Sequence, residues 1–198
     1  MRLGLFGGTF DPPHVGHLLA ASDAFEALGL DRLVFIPAAT QPLKVGRTTA
    51  PAEQRLAMLT LLLAGDPRFD LDPIEIQRTG LSYTVDTLHA FAEREPTAER
   101  FFLVGADVLA SFHKWREPER VAELAQLVIL ERATDGGGVP DPDRGAGGMP
   151  GRAPLSLPTR RVDVSSTEIR ERVRQGKSIH GFVPDAVAEF IARAGLYR

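Results

Sequence analysis

The sequence predicts an α/β fold: a parallel sheet with helices on both faces and a small helical segment at the C-terminal end. Two observations carry this. Short apolar runs alternate with longer stretches whose apolar residues recur at helical spacing, the pattern of βαβ units. The length of 198 residues fits one domain with one sizeable core and leaves little for a second.

The elements follow in order. Residues 2–6 form a short apolar run that meets Gly7-Gly8, read as a buried strand. Residues 15–28 carry Val15, Leu18, Leu19, Ala21, Ala24, Phe25 and Leu28 at helical spacing, with Gly29 as the stop. Residues 33–36 are a second buried strand ended by Pro37, and 52–63 a helix with Leu56, Leu59, Leu62 and Leu63 inward. A strand region is predicted over 69–76, interrupted by Pro73, and a helix over 83–93. Residues 101–104 read as a strand ending at Gly105, 107–112 and 119–125 as short helices, and 127–130 as another strand. Residues 133–160 differ: seven of these 28 are Gly and five are Pro. They read as a flexible excursion, longer than loops of compact domains usually run, either a lid or a tolerated insertion. A short strand over 161–164 and helices over 166–175 and 184–194 complete the chain, the last started by Pro184. The whole is read as a single domain, residues 1–198, with 165–198 its C-terminal helical part.

Composition narrows the classes. Hydrophobic residues at 43% and charged residues at 25% are ordinary globular usage. Twenty-three basic and 26 acidic side chains leave a net charge of −3. The diffuse basic footprint of a long nucleic-acid partner is therefore missing, and a phosphate-bearing ligand has to be held locally. With no cysteine, disulfides, thiolate nucleophiles and Cys-ligated metals are excluded. Neither a signal-peptide pattern nor an apolar run of membrane-spanning length is present, so a cytoplasmic protein without a membrane partner is expected. Oligomeric state is not legible, and a homo-oligomer is compatible with the sequence.

The strongest signal is Gly7-Gly8-Thr9-Phe10-Asp11-Pro12-Pro13-His14-Val15-Gly16-His17. A strand delivers two glycines at its tip, which allows close approach of a ligand. The next helix then presents its N-terminus, with free N–H groups and partial positive charge, to the same place. His14 and His17 share one face of its first turn and can donate to phosphate oxygens. Gly16 leaves room between them. The chemistry suggested is phosphate-group transfer without a protein nucleophile. Two His at this spacing also suit a metal, but only Asp11 stands near as a third ligand, and no metal-ligating residue is assigned. In parallel sheets ligands bind beyond the carboxyl ends of the strands. Residues 7–17, 37–44, 105–115 and the segment after Leu130 should therefore converge on one rim.

His14-x-Gly16-His17 after a first strand resembles the signature of the nucleotidyltransferase superfamily, and the full Gly-Gly-Thr-Phe-Asp-Pro-x-His-x-Gly-His string its small adenylyl- and cytidylyltransferases. Further segments are similar to bacterial nicotinate mononucleotide adenylyltransferases: Pro42-Leu43-Lys44, residues 78–88, Gly105-Ala106-Asp107 running on to Phe112-His113-Lys114-Trp115, and Val164-Ser165-Ser166-Thr167-Glu168-Ile169-Arg170. They occur in family order across nearly the whole chain. The resemblance implies a Rossmann-like nucleotidyltransferase fold. It implies transfer of the adenylyl group of ATP to nicotinate mononucleotide, giving nicotinate adenine dinucleotide and pyrophosphate, with Mg²⁺ held mainly by substrate phosphates.

The same resemblance implies the site residues. His14 and His17 face the reacting phosphates. Gly7, Gly8, Thr9, Phe10, Gly105, Asp107, Arg132, Ser166, Thr167 and Arg170 join them on the ATP side, with Asp107 accepting from ribose hydroxyls. Lys44, Thr84, Trp115 and Arg116 fall to the mononucleotide, with Trp115 stacking on the pyridine ring. Local readings stand beside these. Ser165 and Glu168 fit a capping box, Asp107 fits an N-cap, Lys44 fits a solvated loop, and Trp115 fits a packing residue. One departure is visible: Glu131-Arg132-Ala133 stands where the family usually has Arg-Pro-Gly, which alters the adenine-side wall. Alternatives are nicotinamide mononucleotide as acceptor, a pantetheine-phosphate adenylyltransferase, or a nucleotide-binding regulator without turnover. Intact His14, His17, Ser166, Thr167 and Arg170 argue against the last.

Overall fold

The computed structural model describes residues 1–40, 49–78, 80–132 and 153–198, with the side chains at 107–110 and 132 outside that description. Strands β1 (Arg2–Gly8), β2 (Arg32–Pro37), β3 (Phe69–Leu71), β4 (Glu99–Gly105), β5 (Gln126–Arg132) and β6 (Leu155–Thr159) form one sheet in the order β3-β2-β1-β4-β5-β6. Every pairing is parallel. Helices α1 (Val15–Ala27), α2 (Ala52–Leu63), α3 (Ile74–Gln77), α4 (Thr84–Arg94), α5 (Pro118–Leu124), α6 (Ser166–Arg174) and α7 (Asp185–Arg193) accompany it, with a 3₁₀ helix, Ala106–Lys114, after β4.

The strands alternate with period two, and this divides the core into two layers. Phe6, Leu33, Phe35, Phe101, Leu103, Val128, Leu130 and Leu157 face one side, where they meet Ala21 and Ala24 of α1, Met58 and Leu59 of α2, Ile169 of α6 and Val187 and Ile191 of α7. Leu3, Leu5, Val34, Ile36, Phe102, Val104, Leu127 and Ile129 face the other, against Ile74 of α3, Val85 and Leu88 of α4, Phe112, and Val121 of α5. Strand order reverses between β1 and β4. Their carboxyl ends, Gly8 and Gly105, therefore flank the crevice where such sheets bind ligands.

Two expectations need correction. The strand expected over 69–76 stops at Leu71. The Asp72 carboxylate accepts from the Ile74 N–H at 2.9 Å, and Pro73 caps the short helix α3. The strand expected over 161–164 lies earlier, as β6, inside the stretch read as a loop. Its register sets Val128 against Leu155 and Arg132 against Thr159. Pro158 hid it, because proline removes a ladder donor. At a sheet edge, where one side of the strand has no partner, proline is tolerated. The remaining part of the excursion, residues 133–152, lies outside the described residues, and the lid reading with it.

Candidate active site

A cleft of about 710 Å³ opens at the carboxyl rim of the sheet. Gly7, Gly8, Thr9 and Phe10 line it from the end of β1, Gly105 from the end of β4, and Leu130 and Thr159 from β5 and β6. His14 and His17 enter from the start of α1, Thr84 from the start of α4, and Ser165 and Ser166 from the start of α6. The segment after the 3₁₀ helix adds Trp115 and Arg116. Three helix starts thus face one space, a disposition suited to anions.

The histidine pair is built into the helix cap. His14 is the N-cap of α1, with extended backbone, and its N–H donates to His17 Nδ1 at 3.2 Å. That bond fixes the His17 tautomer: Nδ1 accepts, so Nε2 carries the hydrogen and is a donor. The two rings stack with centroids 3.7 Å apart. Phe10, with φ of 51°, turns its ring inward against His17, centroids 5.0 Å apart and near-perpendicular. Two glycines make this packing feasible. A Cβ on Gly8 would come 2.8 Å from Phe10 Cζ, and one on Gly16 would come 3.0 Å from His14 Nδ1.

A buried polar network anchors the same loop. Arg55 is 1% exposed. Its guanidinium donates to three carbonyls: Ala50 at 3.0 Å, Thr9 at 2.7 Å and Ala39 at 3.1 Å. Burial pushes its pKa below the usual arginine value, opposed by the nearby Asp11 carboxylate. Asp11 is 4% exposed, and its Oδ1 accepts from the Ala50 N–H at 3.0 Å and the Tyr197 hydroxyl at 2.7 Å. Burial, then the Asp11 carboxylate, raises the Tyr197 pKa, so the phenol stays a donor. Arg170 donates to the Asp11 carbonyl at 2.7 Å, Thr167 Oγ1 accepts from Arg170 at 3.3 Å, and Ser166 donates to the Pro12 carbonyl at 2.8 Å. Ser165 caps α6 by accepting from the Glu168 N–H at 3.1 Å. In this structure Ser166 and Arg170 thus brace the β1–α1 loop.

At the other end of the cleft, Trp115 is half-buried. Its ring meets Phe112 and Phe102, centroids 5.3 and 6.2 Å away. Arg116 lies over the Tyr83 ring at 4.9 Å and 3.7 Å from the Asp86 carboxylate. Beneath them Glu75 accepts from Thr87 Oγ1 at 2.7 Å. Burial raises its pKa, opposed by hydrogen bonds from Thr87 and Ser82.

Most residues singled out in the sequence surround this cleft. Lys44 and the side chains of Asp107 and Arg132 lie outside the described residues. Sequence reading missed Arg55, Asp11 as an anchor, Glu75 and Tyr197, whose partners are distant in sequence. Arg160 was also missed. It lines the cleft after β6; its guanidinium Nε and Nη2 both donate to Oδ1 of Asp23 on α1, and its backbone N–H donates to Oδ2 at 2.8 Å. Burial of Asp23 opposes ionisation, but the Arg160 hydrogen bonds outweigh it and its pKa is lowered.

A parallel sheet whose strand order reverses beside a helix start carrying His14 and His17 is the arrangement that the resemblance to nucleotidyltransferases implies. The family described as Cytidylyltransferase-like matches residues 5–172, and the chain belongs to that family, among its nicotinate-nucleotide adenylyltransferases. A protein of Gemmatimonas aurantiaca described as "Probable nicotinate-nucleotide adenylyltransferase" is 51% identical over 201 residues, covering 100% of this chain and 93% of that one. One from Thermus thermophilus with the same description is 47% identical, covering 100% of both. Among solved structures, the Plasmodium falciparum nicotinic acid mononucleotide adenylyltransferase complexed with NaAD shares the fold, with TM-score 0.76 and 17% identity over 99% of this chain and 97% of that one. Its complex with APC gives TM-score 0.75 over 99% and 96%.

Proposed function

We propose that the protein transfers the adenylyl group of ATP to nicotinate mononucleotide, giving nicotinate adenine dinucleotide and pyrophosphate in NAD biosynthesis. The observation that carries this is one cleft joining the His14–His17 helix start to the Thr84 helix start and the Trp115 ring. A phosphate-holding end and an aromatic-walled end suit two nucleotides meeting through their phosphates.

An oxygen of the mononucleotide's 5′-phosphate attacks the α-phosphorus of ATP. The new P–O bond forms as the bond to the α,β-bridging oxygen breaks, and pyrophosphate leaves. The attacking oxygen is already anionic, so positioning and charge stabilisation supply the catalysis. His17 Nε2–H is a donor held in one tautomer by the His14 N–H, and needs no reorganisation when charge moves onto the leaving oxygen. Gly8 and Thr9 line the same wall and offer backbone and hydroxyl donors. Ser166, Thr167 and Arg170 are read as donors for the β- and γ-phosphates, which would require Ser166 and Arg170 to exchange loop carbonyls for phosphate oxygens. The Trp115 face is the platform for the pyridine ring, with Thr84 and Arg116 beside it.

Among the described residues no three His, Cys, Asp or Glu side chains gather to hold a metal. We further propose that Mg²⁺ is held by the substrates' phosphate oxygens and by water, where it would neutralise polyphosphate charge.

The test is ATP-dependent pyrophosphate release with nicotinate mononucleotide, nicotinamide mononucleotide and phosphopantetheine offered in parallel. The nicotinate acceptor is expected to give the highest kcat/KM. Preference for phosphopantetheine, or no release with any acceptor, would overturn the reading.

A further inference from the structure

The Tyr197 phenol reaches across 186 residues of sequence to Asp11 Oδ1, at 2.7 Å. Tyr197 has φ of 64° and Phe10 has φ of 51°. Bulky side chains rarely adopt this left-handed backbone, and it persists only where surrounding contacts hold it. The two unusual positions are joined through Asp11, which follows Phe10 directly and accepts from Tyr197. Phe10 is 2% exposed and sets its ring edge-on to His17. Displacing Asp11 would release the turn at Phe10, and with it the surface against which the imidazole rests.

We propose that Tyr197 is a positioning residue for His17, acting through the Asp11 carboxylate and the Phe10 ring. The proposal rests on the reading of His17 as a donor to the reacting phosphates. The phenol is not among the residues that line the cleft. From the turn after α7 it holds the orientation of the imidazole, and with it the His14 N–H bond to Nδ1 that fixes the tautomer.

Tyr197→Phe deletes the hydroxyl and keeps the ring that packs against the core. Its kcat should fall about three- to tenfold, because small displacements of reacting groups are costly, while the mononucleotide KM stays near wild type. In the ligand-free variant, long-range ¹H–¹⁵N spectra should show His17 shifting from a single Nε2–H tautomer to a mixture. A merely structural tyrosine would lower the melting temperature and leave those signals in place. Phe10→Leu removes the intermediate ring while Tyr197 remains, and should reproduce the spectral change. It keeps the idea testable should Tyr197→Phe fail to fold. Unmoved His17 signals in folded Tyr197→Phe overturn the proposal, whatever happens to kcat, and so do unmoved signals in folded Phe10→Leu. Because the spectra need no substrate, a wild-type protein without pyrophosphate release would sink the functional reading while leaving this one to its own measurement.

Discussion

At the residue scale the site depends on fixing small dipoles in advance. His17→Ala removes one preorganised donor, which typically lowers rate by ~10²–10³, and also the acceptor for the His14 N–H, a cap interaction worth about 0.5–2 kcal/mol. Steady-state kinetics beside thermal denaturation should show the rate loss far exceeding the stability loss. Trp115 sits between two roles, since its ring packs against Phe112 and Phe102 and also lines the cleft. Stacking on a base contributes ~1–3 kcal/mol, so Trp115→Ala should raise the mononucleotide KM about tenfold, with the ATP KM little changed and Trp115→Phe recovering most of the loss. Glu75 makes a prediction about pH. Burial raises its pKa, so the folded chain binds that proton more tightly than the unfolded chain, and stability falls as pH climbs above the ordinary Glu value through the raised one. Glu75→Gln keeps an acceptor for Thr87 and should flatten this slope in melting curves taken across the acid-to-neutral range. An unchanged slope would show that Glu75 ionises freely. His14, His17 and Trp115 were legible because their signal is local. Arg55, Asp11 and Tyr197 were not, since an arginine among leucines or a tyrosine near the end of the sequence looks the same whether or not it holds a distant loop.

At the scale of elements, the sheet was legible wherever apolar runs met Gly or Pro, and illegible where a proline lies inside a strand. Residues 155–159 have the composition of a loop, yet Leu157 belongs to the core and Thr159 Oγ1 donates to the Glu131 carbonyl at 3.1 Å. This sets what can be removed from the Gly/Pro-rich stretch. Because β5 and β6 are parallel, the chain must return from the end of one to the start of the other, which takes a connection of about a dozen residues or more. Shortening 133–152 while keeping about twelve connecting residues should leave the melting temperature within a few degrees. Deleting through residue 160 should lower it sharply, because β6 and the Arg160–Asp23 pair go too. Calorimetry of the two deletions separates them, and equal melting temperatures would mean that β6 contributes nothing to the fold.

At the scale of the molecule, one sheet serves both core layers. The first loop is also tied to α2 through Arg55, to α6 through Arg170 and to the turn after α7 through Tyr197. A single cooperative unfolding transition follows. ATP at a hundred times its dissociation constant should shift it upward by about 2.7 kcal/mol, and two separate transitions in a calorimetric scan would contradict this. Among the described residues no helix is long and apolar enough to cross a membrane. The two ends of the sheet bear on a different matter, behaviour in crowded solution. An open strand edge is a template on which a neighbouring chain can add its own backbone. One edge here is β3, only three residues long, and the other is β6, five residues carrying Pro158. The proline that concealed the strand therefore also makes it a poor seed for aggregation.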